Sequence, residues 1–256
     1  MNTATLHKVA QHMAQAERVL FITGAGMSAD SGLPTYRGIG GLYNGRLTAH
    51  HIPIEVALSG QMLLTSPEVT WQYLYEIEQA CRGASYNRGH EIIKEIQEYI
   101  PDTWILTQNI DGFHRQVGCE KLIEIHGRLY DLFCTYCDYK VTVENYLHLH
   151  IPPKCPKCGH LVRPDVVLFG EMLPSSALSV LTKQLTKGFD MVFSIGTTSV
   201  FPYISAPVQM ARQQKRITVE INPSTTEVSH LVDYRLVGGA TDMLTQLWQQ
   251  MNDNGL

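Results

Sequence analysis

RVLFITGAGMSADSGLPTYRG, residues 18 to 38, decides the fold. Its opening run, Val19 to Thr23, is apolar and rich in β-formers, the composition of a parallel strand buried on both faces. The run passes directly into Gly24-Ala25-Gly26. A strand that ends in glycines and opens a helix lets backbone N–H groups approach a pyrophosphate, with the positive helix end behind them. After Gly24 and Gly26 the third position of the ordinary dinucleotide fingerprint holds Ala29, and Gly32 comes later still. Glycine turns after strands are common in α/β proteins, so the continuation carries more weight. Pro34 stops the expected helix early and sets Arg37 on a loop above the expected phosphates, which a purely structural turn does not require.

Outward from this stretch, 256 residues suffice for one large core, or one core with a smaller appendage. A net charge of −4 argues against a nucleic-acid surface, which would ordinarily be basic. The first residues lack the apolar core and cleavage pattern of a signal peptide, and no apolar run nears the roughly 20 residues that span a bilayer. The expectation is a cytoplasmic protein with neither membrane nor nucleic acid as partner.

Residues 3 to 17 carry the apolar spacing of an amphipathic helix. Residues 39–85 hold prolines, glycines and aromatics at mixed helical spacing, and read as a helical insertion over the glycine loop. Helical periodicity returns from Asn87 to Tyr99. Further strands follow at Thr103–Thr107, Leu122–Ile125, Met191–Ile195 and Ile217–Ile221, each ending in Gly, Asn, Asp or His. In open parallel sheets ligands bind at those carboxyl ends. The expected fold class is α/β: a Rossmann-like doubly wound parallel sheet (1–38, 86–128 and 161–256) with the helical insertion (39–85) and a smaller zinc-binding module (129–160).

That module rests on Cys134-Thr-Tyr-Cys137 and Cys155-Pro-Lys-Cys158, two Cys-x2-Cys knuckles. Four thiolates so spaced suit a tetrahedral zinc with no open position for water, hence a structural ion. A redox dithiol needs one such pair, not two. Cys81 and Cys119 stand outside the pattern and read as buried thiols.

Four strand ends hold candidate residues. His126, followed by Gly127, closes a short strand where a ligand crevice is expected. Gln108-Asn109-Ile110-Asp111 offers amides and a carboxylate that could hold a ribose and a carboxamide, or form an Asx-rich turn. Gly196-Thr197-Thr198-Ser199-Val200 and Glu220-Ile221-Asn222-Pro223-Ser224 are strand-end loops, and Arg163 to Glu171 is a strand leading into a turn.

Taken jointly and in order, from Val19 to Thr241, these motifs resemble the sirtuin family, the NAD-dependent protein lysine deacylases. GAGMSADSGLPTYRG resembles the family's signature. The resemblance implies NAD as a consumed co-substrate held by Gly24, Ala25, Gly26, Ser28, Pro34, Thr35, Tyr36 and Arg37 in the glycine loop. It places Gln108, Asn109, Ile110 and Asp111 around the nicotinamide and its ribose. Gly196, Thr197, Ser199, Asn222, Pro223, Ser224 and Ala240 fall on the adenosine half. It makes His126 the general base with Asn109 beside it in the catalytic set, and gives the acyl-lysine peptide Val167, Phe169, Gly170, Glu171 and Val200. Tyr36 and Tyr43 depart from the family's usual phenylalanine and tryptophan.

In the family, the acyl oxygen attacks C1′ of the nicotinamide ribose and expels nicotinamide. The histidine then deprotonates a ribose hydroxyl, and water finally yields free lysine and O-acyl-ADP-ribose. Rival readings are ADP-ribosyl transfer or NAD hydrolysis on the same scaffold, a hydride-transferring dehydrogenase, and a non-enzymatic zinc-stabilised binding module. Members that favour succinyl or malonyl lysine carry a tyrosine and an arginine three residues apart in the helical insertion. Counting back from His90 puts those places on Gln72 and Tyr75, so uncharged acyl groups are expected.

Overall fold

The computed structural model describes residues 3–35 and 51–253. Tyr36 and Arg37 of the expected nucleotide set lie outside the described residues, as does Tyr43. Helix α1 (Thr3–Ala14) leads into strand β1 (Arg18–Thr23). Val19 and Phe21 pack into the core on one face, and Leu20 and Ile22 into the core on the other. Burial on both faces is why the run shows no polar alternation.

The glycine loop departs from the expected helix. Two single 3-10 turns, Ala25–Met27 and Ala29–Ser31, follow β1 instead. The cause is a backbone-to-backbone contact with the loop after the neighbouring strand: Gly26 N–H donates to the Gly196 carbonyl at 2.8 Å. A Cβ on Gly26 would lie 2.6 Å from Gly196 Cα, so only glycine permits this approach.

Helices α2 (Ile54–Ala57), α3 (Gly60–Thr65) and α4 (Pro67–Cys81) come next, then α5 (Arg88–Tyr99), β2 (Asp102–Thr107), α6 (Phe113–Gln116) and β3 (Leu122–Glu124). Strands β4 (Gly127–Cys134), β5 (Lys140–Thr142) and β6 (Val162–Val166) are followed by α7 (Ser175–Lys187), β7 (Met191–Ile195), α8 (Pro202–Gln213), β8 (Ile217–Ile221), β9 (Tyr234–Leu236) and α9 (Ala240–Asp253). The large sheet is parallel throughout in the order β3-β2-β1-β7-β8-β9. This is the strand order of dinucleotide-binding Rossmann sheets, whose direction of winding reverses between β1 and β7. Buried side chains of α1, α5 and α9 cover one face, and those of α7 and α8 the other. No helix among the described residues is long and apolar enough to cross a membrane.

A smaller antiparallel sheet, β5-β4-β6, stands apart from the large one. The stretch from Arg163, which in sequence looks like a return of the α/β rhythm, pairs here with β4, with Cys134 opposite Val162 and Gly127 opposite Val166. Gly127 has φ +78°, and a Cβ there would fall 1.9 Å from the Asp165 carbonyl oxygen, so β4 and β6 meet only because it is glycine. Helix α4 and the cysteine-bearing segment share one core cluster, in which Trp71 Nε1 donates to the Val162 carbonyl at 3.1 Å.

Candidate active site

A cleft of about 690 Å³ opens at the carboxyl ends of β1, β2, β7 and β8. It brings together Gly24, Ala25, Gly26 and Thr35 with Gln108, Asn109, Ile110 and His126. The same cleft is lined by Val167, Phe169, Gly170 and Glu171, and by Gly196, Thr197, Asn222, Pro223, Ser224 and Ala240. A small side pocket of about 20 Å³ shares Ala25, Ile77, Asn109 and Ile110 with the cleft and adds Ser28, Pro34, Cys81 and Asp111.

Hydrogen bonds tie the strand ends into one polar ring. Asn109 Nδ2 donates to the Gly24 carbonyl at 3.0 Å and to Ser28 Oγ at 3.2 Å, and Ser28 Oγ donates to Asp111 Oδ2 at 2.7 Å. Gln108 Nε2 donates to Thr197 Oγ1 at 2.8 Å, and Asn222 Nδ2 to the Thr197 carbonyl at 3.1 Å. Burial pushes the Asp111 carboxyl above its ordinary range, against the bonds it accepts from Phe113 N and Ser28 Oγ. Behind the ring, Asn87 caps α5 and donates to the Met27 carbonyl and Ser31 Oγ, fixing the glycine loop to the helix layer.

His126 sits between β3 and β4. Its Nδ1 lies 2.9 Å from the Gln108 carbonyl, which can only accept, so in the neutral ring Nδ1 carries the proton and Nε2 the lone pair. Burial lowers its pKa below 6.5, opposed by the Gln108 bond. An imidazole of this kind is already neutral at physiological pH. Tyr203 Oη stands 2.7 Å from Nε2.

Two further buried histidines share the depressed state. Burial pushes His90 down to about 4 and His114 well below 6.5. Above pH 6.5 folded and unfolded chains both leave these rings neutral; below it, the unfolded chain takes up protons that the folded one refuses. Stability therefore falls as pH drops from 6.5 to about 4, with His90 alone contributing on the order of 3 kcal/mol. Denaturant midpoints measured across this window should decline steadily, and a flat profile contradicts the burial of these histidines as neutral rings.

Ser199 and Val200 are not brought to the cleft. Gly196 and Ser199 both adopt positive φ (58° and 56°), which turns Ser199 back onto Ser194 Oγ at 3.1 Å. Val200 lines a separate surface depression with Arg212 and Glu227. Thr198, within the Gly196–Val200 loop, lines the cleft, and so do Phe201 and Tyr203, which the sequence reading passes over. Their signal was the aromatic–proline–aromatic run, Phe201-Pro202-Tyr203, one turn beyond a glycine strand end. On α4 the residues facing the cleft are Leu74 and Ile77, not Gln72 and Tyr75. The spacing of three is retained, but the helix face is offset by two positions. Gln72 instead donates to Glu76, and the Tyr75 ring lies against the Arg82 guanidinium.

At the far end of β4, the sulfurs of Cys134, Cys137, Cys155 and Cys158 lie within 4.8 Å of one another. Cys134 and Cys158 approach to 3.5 Å, Cys137 and Cys155 to 3.6 Å. A tetrahedral zinc with Zn–S of ~2.3 Å needs sulfurs roughly 3.8 Å apart, so the four thiolates fit that ion and leave no position for substrate or water.

The sheet order, the crevice at its switch point and the four-sulfur cluster define a Rossmann-type nucleotide-binding protein with a structural metal module. The model of the Sir2 family matches residues 24–202, and the chain belongs to that family, the sirtuins. It is 53% identical to NAD-dependent protein deacylase 2 of Pseudomonas aeruginosa, over 93% of this chain and 94% of that one. It is 33% identical to the NAD-dependent protein deacylase of Aquifex aeolicus, over 92% and 95%. Among solved structures, a Sir2 homolog–NAD complex superposes with a TM-score of 0.85 at 32% identity, covering 96% of this chain and 94% of its own.

Proposed function

We propose that this chain removes acetyl or other uncharged acyl groups from lysines of protein or peptide substrates, consuming NAD and giving nicotinamide and O-acyl-ADP-ribose. The observation that carries the reading is His126: its tautomer is set by a backbone carbonyl, and its ring lines the nucleotide cleft.

The chain's own groups divide the work. Backbone around Gly24, Ala25 and Gly26, with Thr35, Tyr36 and Arg37, receives the pyrophosphate. Asn109, Ile110 and Asp111, with Ser28 and Pro34 beside them, contact the nicotinamide from the mouth of the side pocket, with Gln108 beside its ribose. Gly196, Thr197, Asn222, Pro223, Ser224 and Ala240 hold the adenosine. The edge Val167–Glu171 receives the substrate backbone as an added strand, a recognised mode of peptide capture. It is braced by the Arg163–Glu171 ion pair and by Phe169 N donating to the Leu58 carbonyl at 3.0 Å. His126 takes a ribose hydroxyl proton at Nε2.

Acyl preference follows from the apolar wall. Leu58, Leu74, Ile77, Ile110, Val166 and Leu168 line one part of the cleft. The acids among its described lining residues are Asp30 and Glu171, and no lysine or arginine joins them. A succinyl carboxylate entering there would lose hydration without gaining a cation, an effective penalty of several kcal/mol. On one peptide bearing acetyl, butyryl or succinyl lysine, with NAD present, kcat/KM should be at least roughly 100-fold lower for succinyl. Equal or faster removal of succinyl contradicts this specificity.

A further inference from the structure

Nothing in the mechanism above uses Tyr203, yet its hydroxyl is placed on the atom that must do the chemistry. The imidazole of His126 offers one lone pair, at Nε2, because Nδ1 donates to Gln108. A phenol is the partner there that can donate, and Oη lies 2.7 Å away. Burial raises the Tyr203 hydroxyl to about 12, so it remains a protonated donor. The arrangement is a fitted one. The Phe201 and Tyr203 rings stack with centroids 5.5 Å apart and planes 12° from parallel. Both rings meet the imidazole edge to face, at 87° and 83°. Pro202 between them starts α8 and fixes the chain entering it.

We infer that Tyr203 is a positioning residue that keeps the His126 lone pair occupied until the ribose hydroxyl of NAD takes its place. The inference rests on His126 being the base. Two donors cannot share one lone pair, so the phenol must leave Nε2 before a ribose hydroxyl can give up its proton there. The exchange replaces one O–H···N bond by another of the same kind, which keeps it energetically shallow. Without the phenol, a half-buried lone pair would face the apolar Phe201 ring and would accept a proton from solvent more readily. A hydrogen bond to the neutral form disfavours the charged one, so Tyr203 also holds the ring deprotonated.

Tyr203→Phe keeps the ring stack and removes only the donor. In nucleotide-free protein, the His126 imidazole followed by NMR should titrate at higher pH than in the parent. With NAD and an acetyl-lysine peptide, kcat/KM for NAD should rise by about two- to ten-fold, the value of one hydrogen bond no longer competing. The lower limb of the pH–rate profile should move up with the titration. Unchanged titration overturns the proposal, and so does a kcat lower by roughly 100-fold or more at unchanged KM, which would make the phenol a required proton carrier. Tyr203→Leu serves as the packing control: a titration shift in Leu but not in Phe assigns the effect to the ring and overturns the donor role. Full activity of His126→Ala would instead remove the base assignment, whereas the titration of Tyr203→Phe reads the contact directly.

Discussion

His126→Ala lowers kcat for deacylation by roughly 10²–10⁴-fold, the usual range for loss of a general base, while NAD still binds. The separation of the two effects follows from the geometry. The hydrogen bonds that shape the nucleotide crevice run among Gly24, Ser28, Gln108, Asn109, Asp111, Thr197 and Asn222, and none uses the His126 side chain. The imidazole contributes one bond to the Gln108 backbone and one to Tyr203. Isothermal titration with NAD should return a dissociation constant close to the parent's, and single-turnover deacylation should be slow. Fully retained turnover in that variant would mean that another group removes the ribose proton.

Removal of the metal is the second large effect. Structural zinc contributes ~10–16 kcal/mol in small zinc-finger modules. Beyond the small sheet and the core it shares with α4, the cysteine segments are held by their own knuckle turns. Within the first knuckle, Tyr136 and Cys137 N–H groups donate to Cys134 Sγ at 3.4 and 3.5 Å. In the second, Gly159 N–H donates to the Cys155 carbonyl at 2.8 Å, forming the turn that presents Cys158. Strand β4 connects this cluster directly to the candidate active site, running from Gly127 beside His126 to Cys134 in the four-cysteine cluster. Cys155→Ala should therefore bind no stoichiometric zinc, unfold at lower temperature and lose activity. Metal analysis of the parent should find one zinc per chain. A metal-free protein with an unchanged melting temperature contradicts a structural role.

What the residues announced in advance was local chemistry. The Val19–Thr23 run and the glycines behind it marked the central strand because burial on both faces suppresses alternation. The two Cys-x2-Cys knuckles marked the metal because thiolate spacing is itself the geometry. What stayed hidden was decided by packing between distant segments. The 3-10 turns after Gly24 arise from contact with Gly196, some 170 residues away. Strand β6 joins the small sheet because Gly127 lets β4 come close. Leu74 and Ile77 face the cleft because Trp71 anchors α4 against β6, which no count back from His90 could show. The pairing of Tyr203 with His126 stayed hidden for the same reason, since the two lie 77 residues apart in the chain.

The central claim is that NAD is consumed to carry an acyl group from lysine to ADP-ribose. Mass spectrometry of an acetyl-lysine peptide incubated with the protein, with and without NAD, reads it directly. The account predicts that free lysine peptide, nicotinamide and O-acetyl-ADP-ribose appear in equal amounts, and only when NAD is present. Nicotinamide accompanied by free ADP-ribose and intact acetyl peptide, or by a peptide carrying ADP-ribose, would contradict it.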